Sequence, residues 1–142
     1  MTATESLMQN SERTVFITNY KGQDLSHAQT FGKIKAIRND KYIETFQMDV
    51  LSAQVAEALA NSHPEDWLIP TGHMVLGILA ALEFLHRHRR LNLLVWHAKQ
   101  RKYVPRILQL NPDRLAKLVD GMAGTDPLLT EILFNEVPVE TV

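Results

Sequence analysis

At 142 residues with a net charge of −1, the chain is long enough for one domain with a substantial core, and no global field drives it onto nucleic acid or a membrane. It has no cysteine, which excludes disulfides, thiolate catalysis and cysteine-ligated zinc or iron–sulfur clusters. Hydrophobic residues at 45% and charged residues at 22% are ordinary for a globular protein.

Met1 to Arg13 reads as a flexible arm, polar and without the apolar core of a secretory signal, so the chain is read as cytoplasmic. Thr14-Val15-Phe16-Ile17-Thr18 is β-branched and reads as the first strand. A loop follows, Tyr20 to Ser26, in which Asp24 or Ser26 is placed to cap a short helix ending at Gly32. Lys33 to Arg38 alternates charged and apolar residues, the pattern of a half-exposed strand. From Glu44 to Asn61 the period becomes helical, with Phe46, Val50, Leu51, Val55, Ala58 and Leu59 on one stripe.

The stretch from Trp67 to Trp96 is the centre of the chain. Trp67-Leu68-Ile69 is a short apolar run, broken by Thr71-Gly72. Met74 to Leu85 is apolar at ten of twelve positions, which predicts a helix buried on most of its circumference. It is too short and too closely flanked by basic residues for a membrane span. The cations of His86 to Arg90 suit its negative end, and Leu91 to Trp96 is a second strand. Two strands joined by such a helix predict a parallel crossover unit, with chemistry expected where Thr71-Gly72-His73 leaves the first strand.

A basic turn, His97 to Lys102, leads to a strand from Tyr103 to Leu108, and Pro105 predicts that this strand is an edge or is bulged. Asn111-Pro112-Asp113 and Asp126-Pro127 are both helix starts. Residues 1–13 are thus an arm, 14–110 an α/β core domain with a mixed sheet, and 111–142 a helical extension with a loose tail, packed on the core or on a partner subunit. Leu128, Leu129, Ile132, Leu133 and Phe134 offer more apolar surface than one short helix buries, so a homo-oligomer, dimer or higher, is expected.

The six histidines do not make a metal site by motif. His86 and His88 on a helix point about 160° apart, and no His-x-x-x-His pair exists. Asp24, Ser26 and His27 have the types of a nucleophilic triad, but neighbours on a short helix do not face one another. No nucleophile elbow, phosphate loop or dinucleotide fingerprint is present, so no catalytic residue, metal or cofactor is assigned. Two loops carry more weight. Asn19 to Ser26 and Thr71-Gly72-His73 each follow a strand. In one parallel sheet both would lie at its carboxyl edge, offering helix-start N–H groups and, at Gly22 and Gly72, close backbone approach to an anion. Taken singly, each loop is better explained by its turn and caps; their coincidence is what makes a site. A third cluster, Lys99, Arg101, Lys102, Tyr103 and Arg106, combines charge with an aromatic ring. A solvated charged turn is the commoner explanation for Lys99 and Arg101, whereas Arg106 lies inside an apolar strand.

Val15-Phe16-Ile17-Thr18-Asn19, Gly22-x-Asp24-x-Ser26-x-Ala28, Phe31-Gly32, Pro64-Glu65-Asp66, Thr71-Gly72, Arg90-Leu91-Asn92-Leu93-Leu94 and Lys102-Tyr103-Val104-x-Arg106 form a pattern. It resembles a family of small bacteriophage-encoded proteins, and within that group it looks like the first-described Thoeris anti-defence sponge proteins. The resemblance implies a non-catalytic, oligomeric binder of cyclic ADP-ribose-type signals or cyclic oligonucleotides, acting in the host cytoplasm to silence bacterial immune effectors. The residues then expected to hold a nucleotide-like anion are Asn19, Gly22, Asp24, Ser26, Thr71 and Gly72, with Tyr103 and Arg106 from the same or a neighbouring chain. No nucleic-acid polymer and no membrane is expected as a partner. The alternatives are a phage accessory module that binds another protein, and a small nucleotide-processing enzyme.

Overall fold

The computed structural model describes residues 12–40, 42–44, 47–111 and 134–139. Its centre is one six-stranded mixed sheet. The strands are β1 (Thr14–Asn19), β2 (Lys33–Arg38), β3 (Trp67–Ile69), β4 (Arg90–His97), β5 (Lys102–Leu110) and β6 (Phe134–Val137). They lie in the order β2-β1-β3-β4-β5-β6; β2, β1, β3 and β4 are mutually parallel, and β5 and β6 are antiparallel to their neighbours. The expected central unit is present: Leu68 of β3 pairs in parallel with Leu93 of β4, and helix α2 (Met74–His88) joins the two strands. Among the described residues no helix is long and apolar enough to cross a membrane.

The order follows from chain geometry. From β1 the chain steps outward to β2, then reverses and steps past β1 to β3 and on to β4. Right-handed crossovers put connections made in opposite directions on opposite faces of a sheet. Accordingly Leu25, Ala28 and Phe31 of the first connection pack on one face, with Val15, Ile17, Trp67, Ile69 and Leu94. Helix α1 (Met48–Ala58) and helix α2 cover the other face, through Leu51, Val55, Leu76, Ala80 and Phe84 against Phe16, Leu68 and Leu91. With both faces covered, β1 reads as an almost unbroken buried run, whereas edge strand β2 has no buried residue, and its expected alternation is only partial because Ala36 is exposed.

Several expectations need adjusting. The first connection holds only a 3-10 turn, Ala28–Thr30, preceded by an Asp24 turn and not capped by a side chain. Helix α1 is shorter than its periodicity. Leu51, Val55 and Leu59 form its buried stripe, Val50 is exposed, and Phe46 lies outside the described residues. Helix α2 is not buried most of the way round: Met74, Ile78 and Leu82, four apart, are 77%, 52% and 58% exposed. Pro105 lies where β5 pairs with β4 alone, because pairing with β6 begins at Ile107. Strand β6, Phe134–Val137, takes in Phe134, expected on the second C-terminal helix, and Glu136 and Val137, expected in a loose tail from Glu136 to Val142. The expected C-terminal helices, and the apolar group Leu128 to Leu133, lie outside the described residues, as does the arm before Glu12.

Candidate functional site

The chain's reversal makes β1 and β3 the neighbours from which connections depart to opposite faces. In open α/β sheets the crevice outside the carboxyl ends of such strands is the usual ligand position. The two loops singled out in the sequence are the two that flank it. Each is held by the strand ends beneath. Thr18 Oγ1 accepts the Thr71 N–H at 2.8 Å and donates to the Thr71 carbonyl at 2.6 Å, clamping β1 to the segment after β3. Asn19, fully buried, ties the same edge to the chain beyond β2: its Nδ2 donates to the Asp40 carbonyl at 3.0 Å and its Oδ1 accepts the Asp40 N–H at 3.1 Å. The Asn19 amide is therefore occupied with positioning the edge, and what it leaves for a ligand is the loop above it.

That loop is open. Gly22 has φ +88° with nothing near the position of a Cβ. Asp24 Oδ1 accepts both the Ser26 N–H, at 3.0 Å, and the Ser26 hydroxyl, at 2.7 Å, so Oδ2 has no partner among the described residues. The Ser26 backbone N–H first, and its hydroxyl second, hold the Asp24 carboxyl below its ordinary range. On the other side of the crevice Gly72 has φ +89°, and a Cβ there would stand 3.0 Å from Asn19 Cβ. This close approach brings the start of α2 down onto the edge. His73 caps that helix, its Nδ1 accepting the Leu76 N–H at 3.3 Å. The N–H groups of Met74 and Val75 are first-turn donors with no intrahelical acceptor, aligned with the positive end of the helix dipole.

Tyr103 joins the edge from β5, paired with Trp96 at the end of β4. It is 93% buried: its N–H donates to His27 Nδ1 at 2.9 Å, and its ring stacks on the His27 ring at 6.3 Å. Burial, and then the Asp24 charge, raise its hydroxyl pKa. The bond to the Tyr103 backbone, with the ring stacking, ties His27 to the hairpin. Arg106 is placed elsewhere. It pairs in register with Leu93, about 10 Å down the strand from Tyr103, and projects to the opposite face. There its Nη1 bonds Glu136 Oε1 at 2.8 Å, both side chains half exposed. Seven of the eight residues expected from sequence thus gather at one edge, and Arg106 of the same chain does not.

Trp96 was missed by sequence reasoning. It reads as the end of an apolar strand, yet its ring is 47% exposed, packed edge-on against Tyr103 at 5.0 Å.

The opposite edge holds a cavity of about 490 Å³, lined by Glu12, Arg13, His63, Glu65 and Asp66. Its size falls within the range of ligand pockets. Its chemistry does not suit an anion, since three carboxylates face one arginine and one histidine. Asp66 is already engaged, accepting the Thr14 N–H at 2.9 Å on Oδ1 and the His63 N–H at 2.8 Å on Oδ2. Asn92 completes this lock by donating to the Asp66 carbonyl at 2.8 Å and to that of Pro64. Two residues of the sequence pattern, Asp66 and Asn92, are thereby given structural work. Among the described residues no group of histidines and carboxylates is arranged to hold a metal ion.

Residues 7–110 match the family model described as "Phage Pam3 gp32-like protein". No curated protein and no solved structure matches the chain.

Proposed function

This chain belongs to the phage Pam3 gp32-like protein family, and on that premise we propose that it binds a nucleotide-like anion at the carboxyl edge of β1 and β3 without converting it. In the host cytoplasm such binding sequesters an immune-signalling nucleotide, of the cyclic ADP-ribose or cyclic oligonucleotide kind, and so inhibits anti-phage defence. The observation that carries this reading is the meeting of two loops, each with a glycine at positive φ, across the point where the sheet reverses. The first-turn N–H groups of α2 supply donors for phosphate. Asp24 is assigned to ribose hydroxyls, since a carboxylate repels phosphate.

One observation favours a second reading, a phage accessory module that binds protein. Met74, Ile78 and Leu82 form an exposed apolar row along α2, which suits another protein or a second copy of the chain. One experiment separates the readings. The protein is incubated with labelled cyclic ADP-ribose or a labelled cyclic dinucleotide, separated from free ligand and denatured. Intact label recovered from the protein supports sequestration, altered label indicates an enzyme, and no retained label leaves the protein-binding module.

A further inference from the structure

Resting on the reading of the carboxyl edge as an anion site, we infer that this edge is specific for a ligand with a planar base, and that the base stacks on the indole of Trp96. The register of β3 and β4 sets Trp96 level with Thr71, three residues on from the Leu68–Leu93 pair. The side chain lies on the face of Leu94, the face followed by the loop that carries Asp24 and Ser26. An exposed indole at the mouth of the crevice is anomalous on hydrophobic grounds, because the ring leaves about half of its surface in water.

Trp96 also stands at the end of a continuous file of packed rings. Its edge meets Tyr103, which is fixed through its N–H to His27, and the His27 ring in turn packs edge-on against Phe31 at 5.7 Å. Phe31 meets the buried Trp67 at 5.6 Å. This file of rings runs from the core to the surface and ends on one open indole. A half-exposed aromatic at the same sheet edge as the helix-start N–H donors can divide a nucleotide between them: base on the ring, phosphate on the helix start, and ribose toward Asp24 Oδ2. A sugar phosphate or an inorganic polyphosphate would engage only the last two.

The chain's two tryptophans make the test optical. Trp67 is buried and its Nε1–H has no partner among the described residues, so Trp67→Phe loses none of the hydrogen bonds described and leaves Trp96 as the one indole. ADP and inorganic pyrophosphate are titrated into this variant and into the parent, by fluorescence and by calorimetry. ADP is expected to quench Trp96 and to bind at least roughly fivefold tighter than pyrophosphate, as stacking of one base predicts. Trp96→Ala should bring ADP down to the affinity of pyrophosphate, and Trp96→Phe should recover most of the difference. Equal binding of ADP and pyrophosphate by the parent, or unchanged ADP binding by Trp96→Ala, overturns the stacking role while the anion site stands. Binding of neither overturns the carboxyl-edge reading itself, and the stacking role with it.

Discussion

At the amino ends of β1, β3 and β4 the polar groups turn inward and meet partners, whereas at the carboxyl ends they are carried outward on loops. Asp66 and Asn92, both buried, take or give bonds to four backbone groups and lock three strands in place. Polar groups that are buried and matched in this way specify a fold. At the other end, Thr18 and Asn19 make a similar lock one layer down, and above it stand Gly22, Asp24, the start of α2 and Trp96. Both edges therefore have a polar foundation; above it the amino edge carries mainly carboxylates, whereas the carboxyl edge carries helix-start N–H groups and an exposed ring. The amino edge holds a cavity of about 490 Å³ whose lining does not suit an anion, so concavity alone does not locate a site. The donors and the exposed ring lie at the other end.

The contrast can be broken most forcefully at Asp66. Asp66→Ala leaves the part-buried Thr14 and His63 N–H groups without this acceptor and should cost about 2–4 kcal/mol of stability in urea denaturation. A loss below about 1 kcal/mol would mean that the amino edge is not the lock described. The carboxyl edge is sharpened by a pair of glycines. Gly72→Ala combines positive φ with the approach to Asn19 and should cost about 2 kcal/mol, together with ligand affinity. Gly22→Ala, at nearly the same φ but in open space, should cost about 1 kcal/mol. Equal losses in melting experiments on the two variants would argue against a built contact at Gly72.

A smaller effect is expected from His88, which lies near the amino-edge lock. The Ser62 hydroxyl hydrogen goes to the Leu59 carbonyl, so in the Ser62–His88 contact of 2.8 Å the imidazole Nε2–H is the donor. Burial, opposed in part by Asp66, pushes the His88 pKa below its ordinary value of 6.5. The unfolded chain therefore takes up this proton first. The contribution is complete above pH 6.5 and is lost as pH falls from there through the lower folded value. His88→Gln keeps a donor to Ser62 without titrating, and should flatten the acid side of the stability profile relative to the parent. The smallest effect is expected at Arg106→Ala. Its ion pair with Glu136 is exposed, so stability should change by about 1 kcal/mol or less, and ADP affinity should not change.

Much of the fold was legible because the helix from Met74 and the strands around it obey local patterns, and a strand-helix-strand unit has one common solution. The two loops of the site were legible for the same reason, since each follows directly from a strand end. What local pattern does not contain is pairing between distant strands. Arg106 could be placed only once β5 was known to run against β4 with Leu93 opposite it, because one residue of register reverses the face. Strand β6, four residues long, exists through its pairing with β5 and has little signal of its own. Trp96 reads only as the end of an apolar strand, and such an end looks the same whether the sheet covers it or leaves it open. Asn92 between Leu91 and Leu93 was the one visible hint of the amino-edge lock, a polar residue inside a buried run.

The most direct test of the central claim is an amide chemical-shift titration of the labelled protein with ADP. Binding at the carboxyl edge predicts that the amides of Lys21 to Ser26, Gly72 to Val75 and Trp96 move together along one saturation curve. His63, Glu65 and Asp66 should stay where they are. Movement confined to Arg13 and residues 63–66, or no movement at all, would contradict the account.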